Sequence, residues 1–93
     1  MLEKKLANGV VIESFSLTEH QFERACQLYE IEHRTGEFDS LVESDAWLDG
    51  WLSQYSPLEP DEVEWLKCNV DRGADIYTYR DGWQDIGEIA VVG

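Results

Sequence analysis

Hydrophobic and polar positions alternate at the start of the chain, as they do in half-buried strands. The segments LEKKL and VVIESFS lie on either side of Ala7-Asn8-Gly9. Asn-Gly favours a tight turn because both residues tolerate positive φ. The pattern therefore predicts an amino-terminal β-hairpin.

The middle of the chain follows a helical period. Thr18 with Gln21 and Ser16 with Glu19 both have the spacing of a capping box. A first helix is therefore predicted to start at one of these two caps, to run to about Arg34 and to stop at Gly36. A second helix is predicted from a cap at Ser40 or Ser44 to about Tyr55. The residues of its buried stripe are Leu41, Leu48, Trp51, Leu52 and Tyr55, with Trp47 at the margin.

Proline marks the start of a third helix. Pro57 closes the second helix, and Glu59-Pro60 opens the third, because proline at the first helical position lacks only an N–H that has no intrahelical partner. This helix is predicted to end before Gly73.

The tail predicts two strands joined at Asp81-Gly82, with Gly87 marking a bulge or an edge. The resulting order is ββαααββ. It predicts a single α+β domain spanning residues 1–93, in which an antiparallel sheet from both chain ends carries three helices on one face.

Charge narrows the classes of partner. The chain has 20 acidic and 7 basic side chains, a net charge of −13, and 43% hydrophobic residues, which suffice for one core. Such a field repels nucleic acids and anionic membranes, and it attracts basic surfaces. No apolar run is long enough to span a bilayer, and the amino terminus lacks the pattern of a secretory signal. We therefore expect a cytoplasmic protein with reduced thiols.

Catalytic and metal-binding patterns are incomplete. Glu30 and His33 form one Glu-x-x-His element, but di-metal sites need a second copy, and Leu17 precedes the other histidine, His20. Cys26 has no histidine well placed along its helix, so we expect it to be a small core residue. These patterns predict no enzymatic activity, no metal and no cofactor.

The distribution of acidic residues is the most informative feature. Residues 35–66 contain no lysine, arginine or histidine. The nine acidic residues of this segment are Glu37, Asp39, Glu43, Asp45, Asp49, Glu59, Asp61, Glu62 and Glu64. Asp61, Glu62 and Glu64 favour the start of the third helix through its dipole. Asp45 and Asp49 form a mildly destabilising like-charge pair in a helix, so folding alone gives no reason for them.

The tryptophans of the same segment differ in their expected positions. Trp51 lies within the stripe of the second helix, and Trp47 lies at its edge. Trp65 points away from the buried face set by Val63 and Leu66. Either the third helix lies between two layers, or Trp65 is partly exposed.

Exposed aromatic residues beside unpaired carboxylates are typical of an interface with an electropositive protein. The predicted partner-binding residues are Glu37, Asp39, Glu43, Asp45, Trp47, Asp49, Asp61, Glu62, Glu64 and Trp65. An edge strand in the carboxy-terminal hairpin would also permit a homodimer.

In size and charge the chain resembles small acidic inhibitors encoded by phages and mobile elements, including DNA mimics that act on restriction or CRISPR complexes. This resemblance implies a non-enzymatic inhibitor of a nucleic-acid-handling protein, without direct binding of nucleic acid. The chain is also similar to immunity proteins and antitoxins that mask basic nucleases, which implies a single cognate toxin. Neither group shares a sequence motif with the chain, so no residue is carried over from either.

Overall fold

The computed structural model describes residues 1–70, 75–81 and 84–92, and its elements follow the predicted order ββαααββ. The elements are β1 (Leu2–Lys5), β2 (Val11–Ser14), α1 (Glu19–Thr35), α2 (Phe38–Glu43), α3 (Pro60–Val70), β3 (Ile76–Asp81) and β4 (Gln84–Val91), with 3-10 helices at Asp45–Leu48 and Gly50–Gln54. Gly73 and Gly82, on which two sequence predictions depend, lie outside the described residues. No helix in the described ranges is long and apolar enough to cross a bilayer.

A four-stranded antiparallel sheet joins the two ends of the chain, which confirms the α+β prediction. Its strand order is β1-β2-β4-β3. Ile12 of β2 is opposite Val91 of β4, and Tyr77 of β3 is opposite Ile89. Ile12, Tyr77 and Ile89 are buried on the face that the helices cover. An aromatic contact connects the sheet to the helices, because the rings of Tyr77 in β3 and Tyr29 in α1 have centroids 5.6 Å apart.

The first turn and the first helix form as the sequence predicts. Gly9 has a φ of 91°, and the Asn8 side chain accepts a hydrogen bond from the Val10 N–H at 3.0 Å. At the start of α1, Thr18 and Gln21 form the complete capping box. The helix ends at Gly36, which adopts the left-handed conformation.

The predicted second helix is interrupted. Ser44 is extended, with a ψ of 163°, and its hydroxyl accepts a hydrogen bond from the Ala46 N–H. Such local bonding competes with the helical ladder, so α2 stops at Glu43. Leu48 is 81% exposed and Leu52 is 7% exposed, although a continuous helix would place both on one face. The prediction that Leu48 belongs to the buried stripe is therefore wrong.

Gly87 lies in the inner strand β4, and residues 14–17 pack closely against this strand. Ser14 Oγ donates to the Glu88 carbonyl at 2.6 Å, and Ser16 Oγ accepts from the Glu88 N–H at 2.9 Å. A Cβ at Gly87 would lie 2.8 Å from Leu17 Cδ2, so only glycine fits without a shift. The strand register shifts beside this point, which confirms the predicted bulge.

Candidate partner-binding surface

One predicted site residue, Glu62, has a structural role at the start of α3. Arg24 of α1 holds its carboxylate in a bidentate pair, with Nε–Oε2 and Nη2–Oε1 distances of 2.8 Å. The same guanidinium donates to the carbonyls of Ser56 and Pro57 at 3.0 Å. We call these four residues the Arg24 junction. Glu62 also accepts from the Glu59 N–H at 3.0 Å, so its carboxylate holds the fold together and is not available to a partner.

Trp65, a second predicted site residue, is buried and does not belong to the surface. Its side chain is 7% exposed and meets Tyr79 of β3 edge-to-face at 5.4 Å. The reason is that α3 packs against strand β3 of the sheet as well as against the helices α1 and α2, so more than one of its faces is covered. The proposed role of Trp65 as an anchor is therefore wrong. Its indole nitrogen has no hydrogen-bond acceptor in the part of the chain that the structure describes.

The other two tryptophans are partly buried. Trp47 donates its indole N–H to the Leu41 carbonyl at 3.1 Å, which ties the first 3-10 helix to α2. Trp51, expected in the core, packs against it while half-buried, with the Arg34 guanidinium 4.2 Å from its ring centroid. Trp47 can therefore present only part of its ring to a partner.

Three of the predicted carboxylates meet in a groove between α2 and α3. This α2–α3 groove has a volume of about 680 Å³. Its lining residues are Asp39, Val42, Glu43, Pro60, Val63, Glu64, Lys67 and Cys68. Lys67 of α3 pairs with Asp39 of α2 at 2.6 Å, and their side chains are 46% and 73% exposed. Glu37 lies at an adjoining depression that shares Asp39 and Lys67 with the groove.

Two more carboxylates, Asp45 and Asp49, lie in the segment that follows α2. We call residues 45–49, which comprise the first 3-10 helix and Asp49, the Leu48 loop, because Leu48 projects from this segment into solvent. Both aspartates are exposed, and the ion pairs found within residues 1–70, 75–81 and 84–92 include neither of them. The loop thus presents one apolar side chain between two carboxylates.

Asp61 is exposed but separate from the groove. It lines a different depression, between α1 and the start of α3, together with His20 and Glu23. The ten predicted residues therefore divide into three sets. Glu37, Asp39, Glu43 and Glu64 gather at the α2–α3 groove, Asp45, Trp47 and Asp49 belong to the Leu48 loop, and Asp61, Glu62 and Trp65 lie elsewhere.

Leu48 is the residue that the sequence prediction placed on the wrong side. The spacing of Leu48 from Leu52 fits a helical stripe. The prediction gave this spacing more weight than two signals in the sequence that favour a break in the helix. Those signals are Ser44, which caps locally, and Gly50, which adopts a φ of 32° at the first position of the second 3-10 helix. The like charges at Asp45 and Asp49 also disfavoured a continuous helix.

The cysteine and histidine candidates have ordinary structural surroundings. Cys26 is fully buried, and this burial raises the pKa of its thiol to about 12, so the nucleophilic thiolate does not form near neutral pH. His33 is exposed and stacks on Tyr29, with ring centroids 6.1 Å apart. Over the described ranges, no three His, Cys, Asp or Glu side chains converge as metal ligands would.

Two surface features, the α2–α3 groove and the Leu48 loop, combine apolar and acidic side chains. The α2–α3 groove offers carboxylates above an apolar floor, and the Leu48 loop offers an apolar side chain between carboxylates. Both combinations suit a protein partner of opposite charge. No protein-family model, curated protein or solved structure matches the chain.

Proposed function

We propose that this chain is a small non-enzymatic inhibitor that acts in the cytoplasm by covering a basic site on a nucleic-acid-handling protein. The α2–α3 groove and the Leu48 loop form the binding surface. Their carboxylates stand in for the phosphates that the target would otherwise bind, as in a DNA mimic. A net charge of −13 speeds the encounter with such a site and repels nucleic acid itself.

The observation that carries the proposal is the Leu48 loop. A single exposed leucine is common on protein surfaces, and Leu48, which is 81% exposed, gains its significance from the exposed carboxylates of Asp45 and Asp49 on either side of it in the sequence. At an interface, such a side chain enters a pocket on the partner while Asp45 and Asp49 fix its orientation. The surrounding segment lacks basic residues, which would otherwise pair with these carboxylates and weaken the attraction.

The proposal is tested by capture of partners from cell lysate at low salt. The baits are the wild-type protein, Asp45→Lys/Asp49→Lys, and the control Glu3→Lys/Glu88→Lys. The control changes the net charge equally, at exposed positions of β1 and β4. We expect the wild type and the control to retain nucleic-acid-binding proteins that duplex DNA releases, and the loop variant to lose them.

Two results would count against this function. Capture that is equal for both charge-reversed baits would mean that only the net charge matters. Partners that duplex DNA does not displace would argue against occupation of a phosphate-binding site. A single basic nuclease held through high-salt washes would instead favour the immunity-protein function.

A further inference from the structure

The α2–α3 groove has the construction of a site for a long cationic side chain. Val63 at its floor is 3% exposed, and the half-buried Val42 and the exposed Pro60 extend this apolar surface. Carboxylates stand above the floor on both helices, with Glu43 on α2 and Glu64 on α3. An apolar floor below two acids matches a side chain with an aliphatic stem and a charged end.

Lys67 shows how such a side chain fits between these helices. Its ammonium reaches from α3 to the Asp39 carboxylate on α2 at 2.6 Å. Glu43 and Glu64 line the same groove, and neither belongs to an ion pair in the described part of the chain. The groove therefore has one carboxylate already paired with a lysine, and two that remain open to an incoming cation.

We propose that the α2–α3 groove binds an arginine side chain from a basic segment of the partner, with its stem over Val42 and Val63 and its guanidinium between Glu43 and Glu64. This inference rests on the proposed function and names the chemistry that the groove recognises. Arginine suits two carboxylates on facing helices because its planar guanidinium presents five donors, whereas an ammonium is a compact charge. A volume of about 680 Å³ also admits the backbone and a neighbouring residue of the segment.

The first test uses a capped peptide of alternating arginine and alanine, titrated into the isotopically labelled protein at low salt and followed by NMR. We expect the largest shifts at the amides of Val42, Glu43, Glu64 and Cys68, and weaker binding of the matching lysine peptide. Glu43→Gln/Glu64→Gln should weaken arginine-peptide binding about tenfold, because it removes two charge-assisted contacts. The control Glu3→Gln/Glu88→Gln loses the same charge from the sheet and should change the affinity less than about twofold.

A second test needs no substitution. Cys68 is exposed and lines the groove, whereas Cys26 is buried. Iodoacetamide should therefore modify Cys68 in the native protein, and a saturating amount of the arginine peptide should slow this reaction severalfold. The lysine peptide at the same concentration should protect Cys68 less.

Three results would overturn the groove proposal. They are equal loss of affinity in the two double variants, largest shifts at the Arg24 junction, and an alkylation rate that the arginine peptide leaves unchanged. Each would leave the lysate capture through the Leu48 loop as it stands. Conversely, groove-specific peptide binding without DNA-displaceable capture would overturn the proposed function and retain the groove as an arginine site.

Discussion

Two glutamates of α3 lie two positions apart in the sequence and have different surroundings. Glu62 belongs to the Arg24 junction, where its side chain is 18% exposed and paired with a guanidinium. Glu64 is exposed and lines the α2–α3 groove. Residues at i and i+2 of a helix do not share a face, so one turn of α3 supplies both a structural carboxylate and an available one. Acidic content alone therefore does not measure a binding surface.

The two regions also differ in what would be lost without their charges. At the Arg24 junction, one side chain connects α1 to the turn before α3 and to the first turn of that helix. At the groove, Glu43 and Glu64 make no such connection to any residue within 1–70, 75–81 and 84–92. We therefore expect substitutions at the junction to affect folding, and substitutions at the groove to affect binding.

The largest expected effect is that of Arg24→Ala. This change leaves Glu62 partly buried without its cation and frees two carbonyls, so the free energy of unfolding should fall by about 2–4 kcal/mol. Denaturant unfolding followed by tryptophan fluorescence measures it. The control is Lys4→Ala, which removes the exposed pair with Glu23 and should cost less than about 1 kcal/mol. Equal costs would refute the special role of the junction.

A comparable difference is expected between two leucines of the interrupted helix. Leu52→Ala removes a buried side chain and should cost about 2–4 kcal/mol. Leu48→Ala should change the stability by less than about 0.5 kcal/mol, because Leu48 is largely in water. Thermal or denaturant unfolding of both variants distinguishes the two. A cost above 1 kcal/mol at Leu48 would mean that the 44–55 segment is a continuous helix after all.

A smaller difference should separate the two glutamates themselves. Glu62→Gln keeps the shape of the side chain but weakens the bidentate pair, so we expect a cost of about 1–2 kcal/mol. Glu64→Gln removes a charge without a described cationic partner and should stay within about 0.5 kcal/mol of the wild type. Matched chemical unfolding curves are the measurement. If Glu64→Gln costs as much as Glu62→Gln, the distinction between structural and available carboxylates fails.

The smallest effect on stability at neutral pH is expected from the ionisation of Tyr77 in the core. The pKa of Tyr77 is raised from its ordinary value of 10.0 to about 12, mainly by burial and to a smaller extent by the neighbouring Tyr29, Asp75 and Glu32. The fold thus favours the neutral phenol. The contribution of Tyr77 to stability is complete below pH 10 and is lost as the pH rises from about 10 to about 12. Tyrosinate absorbance should show a late component, and Tyr77→Phe should reduce it, while Tyr29 and Tyr55, whose pKa values burial also raises, contribute the remainder. Ionisation of every tyrosine near its ordinary pKa would contradict the burial of Tyr77.

Local patterns in the sequence predicted most of the fold. The Asn8-Gly9 turn, the capping box at Thr18 and the proline start of α3 each depend on neighbouring residues, and the structure confirms them. The second helix was misjudged because apolar spacing favoured a helix that the backbone at Ser44 and Gly50 interrupts.

The candidate site was less predictable, because its composition depends on partners distant in sequence. The pairing of Glu62 with Arg24 and the contact of Trp65 with Tyr79 form only when the layers assemble. Periodicity along one helix gives no information on either contact. The α2–α3 groove likewise requires knowledge of how two helices pack, although its carboxylates stand out in the sequence as a segment without cations.

The proposal that the α2–α3 groove and the Leu48 loop form the binding surface is tested most directly with two quadruple variants. The affinity of the captured partner for each variant is measured by calorimetry at one low ionic strength. One variant neutralises Glu43, Asp45, Asp49 and Glu64 as their amides, and the other neutralises Glu3, Glu13, Glu19 and Glu88. Both lose the same charge. We expect at least about tenfold weaker binding for the first variant and less than about twofold weaker binding for the second. Equal weakening in both, or full affinity in the first, would contradict the proposal.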